Sequence, residues 1–100
     1  MKREERIAAM EERLDKATLL MAETEAVLDR FESELDDVQL LTDYYGSKTW
    51  FADLKAYEKC KIPEGTRCGV LSEDLVYDAI ESRRDIAIRM LEIAVRILKN

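Results

Sequence analysis

Histidine is absent from this chain of 100 residues, and proline and glycine are nearly so, at one and three. Without histidine neither a Ser–His–Asp nor a Cys–His pair can be assembled, so nucleophilic catalysis of those kinds is excluded. Cys60 and Cys68 have seven residues between them and no second pair, short of the four Cys or His ligands that tetrahedral zinc takes. The segment Gly65-Thr66-Arg67-Cys68-Gly69 lacks the lysine–hydroxyl ending of a phosphate loop. No catalytic residue, metal site or cofactor is therefore nominated, and enzyme activity is not expected. Long apolar runs are also missing; none approaches the roughly 20 residues that cross a bilayer. Ile7, Ala8, Ala9 and Met10 are hemmed in by charges, unlike the core of a secretory leader. Without such a leader, two cysteines point to a reducing cytoplasm and free thiols. A disulfide across their loop is sterically conceivable, but that compartment disfavours it.

What the chain does contain is apolar and charged in helix-forming proportion: 47% hydrophobic and 38% charged, with a net charge of −6. The charge is uneven. Residues 2–41 hold six basic and twelve acidic side chains, or −6; residues 43–74 hold five and six, or −1; residues 75–100 hold five and four, or +1. An acidic first helix repels phosphate, and no basic stripe with interleaved aromatics appears. Nucleic acid is not an expected partner.

Apolar residues then step by three and four from Ile7 through Met10, Leu14, Ala17, Met21, Thr24, Leu28, Phe31 and Leu35 to Val38. This is a heptad seam, and Thr24 is its one polar member. It predicts one helix from about Arg3 to about Thr42, supercoiled left-handedly on a partner, with the seam as core. Leu28→Asp or Phe31→Asp should then cost several kcal/mol.

The stretch from Asp43 to Trp50 interrupts the pattern. Gly46 suits the left-handed residue that ends a helix, and Ser47 suits the cap of a short second helix over about 48–59. Trp50, Leu54 and Tyr57 fall at i, i+4 and i+7, which predicts one buried aromatic face. Residues 60–71 read as a loop around Pro63-Glu64-Gly65. Ser72 then offers an N-cap, with Glu73 and Asp74 where the helix dipole favours acids, for a last helix ending near Leu98. That helix is apolar over more than half its circumference, whereas one neighbour needs an arc of only about 100°. The expected fold is all-α, a single helical domain over 1–100. It is a long antiparallel helical hairpin, coiled-coil-like, with a short third helix at the elbow.

Tyr44-Tyr45-Gly46-Ser47, Trp50, Asp53, Gly69-Val70-Leu71-Ser72-Glu73-Asp74 and Tyr77-Asp78 together resemble an uncharacterised family of small bacterial proteins, known as a domain of unknown function. Its members share the Tyr-Tyr-Gly-Ser elbow followed by a tryptophan, and the Gly-Val-Leu-Ser-Glu-Asp lead-in to the last helix. The resemblance implies a bacterial, cytosolic, all-helical protein and brings no activity with it.

Two functional readings follow. One is a non-enzymatic helical interaction module that self-associates. The other is a binder of a small ligand or divalent cation at the elbow, using Tyr44, Tyr45, Trp50, Asp53, Glu73, Asp74 and Tyr77. Against the second, Glu73 and Asp74 serve the helix dipole, Asp53 has Lys48, Lys55 or an arginine as possible partners, and the aromatics can simply plug the elbow. Arg83 lies within the apolar arc of the last helix; it fits a structural ion pair with Asp29, Glu32 or Asp36, or a ligand-binding role. A membrane-surface helix is disfavoured by Glu81, Asp85 and Glu92 on the same helix. The first reading carries a geometric expectation. A helix of about 38 residues is roughly 57 Å long and one of about 26 reaches ~39 Å, which leaves Ile7, Met10 and Leu14 uncovered. A homodimer forming a four-helix bundle would cover them.

Overall fold

The computed structural model describes residues 2–100. Among them are four α-helices, no strand and one 3₁₀ turn: α1 Arg3–Ser33, α2 Leu35–Tyr44, α3 Lys48–Glu58, the 3₁₀ turn Gly69–Leu71 and α4 Glu73–Leu98. The chain is all-α. It divides into two compact units, the residues up to Gln39 and Leu40–Asn100.

In the first unit, the single helix expected to reach Thr42 is interrupted at Glu34. The cause is local. The Ser33 hydroxyl donates to the Arg30 carbonyl at 2.8 Å, and the Glu34 amide is shared between the carbonyls of Arg30 and Phe31, both at 3.2 Å. Serine competes for its own helix's acceptors in this way, and a shared i−3/i−4 bond tightens the turn. Regular bonding resumes with the Val38 amide on the Glu34 carbonyl at 3.1 Å.

The expectation that the α1 seam is core requires correction. Ile7, Met10, Leu14, Met21 and Leu28 are 53%, 56%, 58%, 61% and 45% exposed, and α1 has no buried residue. A heptad pattern states which face is to be covered, not which surface covers it. Thr24, the polar member of the seam, is already satisfied, because its hydroxyl donates to the Leu20 carbonyl at 2.7 Å. It therefore demands no polar partner from whatever packs on the seam.

The second unit is built on its caps. Gly46, at φ +76°, ends α2 in the left-handed region. Ser47 follows with extended backbone and accepts the Trp50 amide at 3.2 Å. At its far end α3 closes on Cys60, whose amide meets the Tyr57 carbonyl at 3.0 Å while the Lys61 amide meets the Ala56 carbonyl at 2.9 Å. This pair of bonds is a Schellman stop. Ser72 caps α4 by accepting the Leu75 amide at 3.4 Å. The segment expected as plain loop over 60–71 thus finishes in the 3₁₀ turn, which packs on both α3 and α4.

The core of this unit is Trp50, Leu71 and Val76, at 2%, 8% and 4% exposure. The aromatic face predicted for α3 is therefore corrected in part. Trp50 is buried and Leu54 half-buried, but Tyr57 is 51% exposed. It belongs to the last turn of α3, where the chain peels away into the loop.

Gly46→Ala tests the turn. Nothing lies within 4 Å of an added Cβ, so the cost is conformational alone, about 1–2 kcal/mol for a left-handed non-glycine residue. Urea unfolding should show that loss, and Gly46→Asn should recover part of it.

Candidate functional site

The elbow begins from one tryptophan. The Ser47 cap fixes the first turn of α3 and with it the direction of Trp50. The indole N–H donates to the Val70 carbonyl at 3.0 Å, so a buried donor and an acceptor of the 3₁₀ turn satisfy each other. Tyr45 and Phe51 stand edge-on to the indole, with ring centroids 5.2 Å and 5.0 Å away at 74° and 80°. Such edge-to-face pairs add stabilisation beyond the area they bury.

Beside this cluster the Tyr44 hydroxyl donates to Asp53 Oδ2 at 2.6 Å. The bond joins the last residue of α2 to the middle of α3. It corrects the expectation that Asp53 pairs with Lys48 or Lys55, since the nearer donor is a phenol. The short bond to Asp53 is also the main reason that the Tyr44 pKa is pushed from 10.0 up to about 12. Burial, the Asp53 charge and Cys68 add to it in that order. Losing the phenolic proton would break the bond and set two negative charges together.

Of the residues nominated from sequence, the structure brings Tyr44, Tyr45, Trp50 and Asp53 into one cluster. Glu73 and Asp74 are exposed in the first turn of α4, and Tyr77 is 55% exposed. Among the described residues, no hydrogen bond, ring contact or ion pair ties these three to the cluster. Arg83 is half-buried ten positions beyond Glu73 on α4, or about 15 Å along the helix. Sequence reasoning did not nominate Val70, Leu71 and Val76, which complete the packing around Trp50. Val70 and Leu71 stood only as part of the Gly69–Asp74 motif and Val76 only as one apolar residue of the last helix, signals too general to assign them to the elbow.

Two grooves lie in the same unit. One, of about 420 Å³, is lined by Leu41, Val70, Leu75 and Val76 with Arg67 and Gly69. It is apolar with one cationic side chain at its edge. The other, of about 600 Å³, follows the loop after α3; Tyr57, Ile62 and Pro63 line it together with both cysteines. No group of three or more Cys, Asp or Glu side chains among the described residues is arranged to hold a metal ion. Among those residues, no helix is long and apolar enough to cross a membrane.

This geometry defines a class: an all-helical protein whose elbow is organised by a tryptophan bonded to the turn before the last helix. Residues 7–93 match the family described as Domain of unknown function (DUF4298), and the chain belongs to that family. Comparison with curated proteins and with solved structures gives no match.

Trp50→Ala should destabilise the fold by about 3–5 kcal/mol, the usual range for truncating a buried large aromatic. The parent should show the blue-shifted emission and slow acrylamide quenching of a buried indole, and an exposed spectrum would refute the packing described. Tyr44 gives a pH test. Its folded pKa exceeds the unfolded value, so its contribution is complete below pH 10 and is lost as pH rises from 10 to about 12. A tyrosinate absorbance titration should show a Tyr44 step near pH 12. Tyr44→Phe should remove that late step.

Proposed function

We propose that the protein is a non-enzymatic helical interaction module that self-associates, most simply as a two-fold dimer. The observation that carries this reading is how little one chain buries. Among the described residues, Trp50, Leu71 and Val76 are the buried hydrophobic side chains. Meanwhile α1 and α4 leave Leu14, Leu20, Met21, Val27, Leu91 and Ile97 between 56% and 67% exposed. At about 25 cal/mol per Å², so small a core is poorly matched to the conformational entropy of ordering 100 residues.

The surface of α1 also has the shape that helix packing uses. Leu20, Glu23, Thr24 and Val27, with Leu28 beside them, line a shallow hollow of about 280 Å³. Positions 20, 23, 24 and 27 are i, i+3, i+4 and i+7, the four residues that form a hole for a knob from a facing helix. An aliphatic side chain suits it.

Charge selects which helix supplies the knob. Residues 2–41 carry −6 and residues 75–100 carry +1, with Arg83, Arg84, Arg89, Arg96 and Lys99 on or just beyond α4. Packing α1 on its own copy opposes acid to acid. Packing it on α4 of the second copy does not. The preferred assembly is thus a four-helix bundle in which each acidic helix lies against the partner's more basic one, and a two-fold axis buries both faces twice.

The ligand- or cation-binding reading has less support. Asp53 already accepts from Tyr44, and Glu73 and Asp74 are ordinary first-turn acids.

Sedimentation equilibrium at micromolar concentration should give twice the chain mass of 11.6 kDa. The melting temperature should rise with protein concentration, because association stabilises by mass action. Leu28→Asp should shift the mass to one chain and cost several kcal/mol by placing an unpaired charge in the seam. A parent that stays at one chain mass with a concentration-independent melting temperature would overturn the proposal.

A further inference from the structure

The loop between α3 and the 3₁₀ turn holds both cysteines of the chain, and both line the same groove of about 600 Å³. Cys60 is exposed and Cys68 half-buried. The Cys68 thiol turns back into the loop, donating to the Thr66 carbonyl at 3.4 Å.

Cys60 also occupies an unusual backbone position. It is the residue just past the cap of α3, at φ +56°, where the Schellman stop favours glycine. At the two other left-handed positions among the described residues the chain has glycine, Gly46 and Gly65. A side chain is thus retained at the third such site, which lines a groove together with a second cysteine. Backbone strain held by its surroundings is a reason to look for chemistry there.

The ends of the loop are fixed independently. On one side the Lys61 amide is bonded to the Ala56 carbonyl at 2.9 Å. On the other, the Val70 carbonyl is held by the Trp50 indole at 3.0 Å. Between these anchors Pro63 and Gly65 sit in a turn, closed by the Thr66 amide on the Pro63 carbonyl at 3.3 Å. The two thiols are therefore confined to a short segment folded back on itself, which raises the concentration each presents to the other.

We propose that Cys60 and Cys68 are a redox pair, closing the loop with an intrachain disulfide when a peroxide or a small-molecule disulfide reaches it. With hydrogen peroxide, the Cys60 thiolate attacks the O–O bond, becoming a sulfenic acid and releasing one water after protonation. The Cys68 sulfur then displaces the hydroxyl as a second water. Two thiols lose two electrons and two protons, and the peroxide is reduced to two waters. With glutathione disulfide, Cys60 forms a mixed disulfide and releases one glutathione, and Cys68 displaces the other. Exposure assigns Cys60 the attacking role and Cys68 the resolving one. The disulfide is reopened by thiol reductants, so the pair is compatible with a reducing compartment that is intermittently oxidised.

The test uses the full chain, reduced and then treated separately with hydrogen peroxide and with oxidised glutathione. Intact mass is measured under denaturing, non-reducing conditions. The proposal expects one chain lighter by two hydrogens after either oxidant, with no free thiol, a cross-linked peptide joining Cys60 to Cys68, and full reversal by reductant. Cys68→Ser should instead retain one glutathione on Cys60, because the resolving thiol is gone. Cys60→Gly should raise the melting temperature of the reduced protein while abolishing closure. Two glutathiones on the parent, a disulfide joining two chains, or two thiols surviving both oxidants would overturn the pairing. Because mass is read on denatured single chains, these outcomes are independent of whether the native protein is a dimer.

Discussion

The indole of Trp50 and the carbonyl of Val70 hold together the unit Leu40–Asn100. On its own α3 has 11 residues, below the length at which an isolated helix is stable in water. It persists because its buried side chain reaches a turn 20 positions away and bonds there at 3.0 Å. The dependence runs along the chain in both directions. Gly46 turns the backbone so that Ser47 can cap α3, and the cap sets Trp50. Val70, once held, places Leu71 in the core and Ser72 at the start of α4. Removing the indole would leave a carbonyl without its donor and a space that Leu71 and Val76 cannot fill.

A core this small explains the character of the remaining surface. Helices whose apolar faces are not covered within a chain gain their burial by association, and the faces must then discriminate among partners. In the self-association we propose, charge would supply that discrimination. An acidic seam-bearing helix tolerates a neutral or basic neighbour better than a copy of itself, and the residues of α4 provide that difference. Thr24 belongs to the same logic. Its hydroxyl is satisfied by Leu20 within α1, so the seam stays open to an aliphatic knob along its length without a buried polar penalty.

The parts of the fold that were legible in the sequence are those set by chemistry within a few residues. Gly46, Ser47 and Ser72 act at the caps as their types imply, and α3 and α4 begin where the caps place them. The interruption at Glu34 was not anticipated, although Ser33 was the signal for it, because a serine inside a strong heptad pattern is usually tolerated. The Tyr44–Asp53 bond was invisible for a different reason. Its partners are nine positions apart across a turn, a spacing no helical periodicity relates. Tyr57 misled in the opposite sense: its i+7 register from Trp50 was right, but the core ends before the last turn of α3. Grouping Glu73, Asp74 and Tyr77 with the elbow confused nearness to the start of α4 with facing inward.

Cys60 shows how local rules and chemistry can conflict at one residue. The bonds from Cys60 to Tyr57 and from Lys61 to Ala56 require a left-handed residue between the helix and the loop. Glycine meets that need most easily, as it does at positions 46 and 65. A cysteine can occupy the site because two hydrogen bonds over-determine the backbone there, and strained conformations survive only where their surroundings enforce them. The same enforcement sets where the loop leaves α3, and the Val70 bond sets where it returns. A thiol on a freely fraying helix end would sample many directions; one on a Schellman stop samples few. The backbone feature that disfavours cysteine at position 60 is therefore also the one that would make the proposed encounter with Cys68 reproducible.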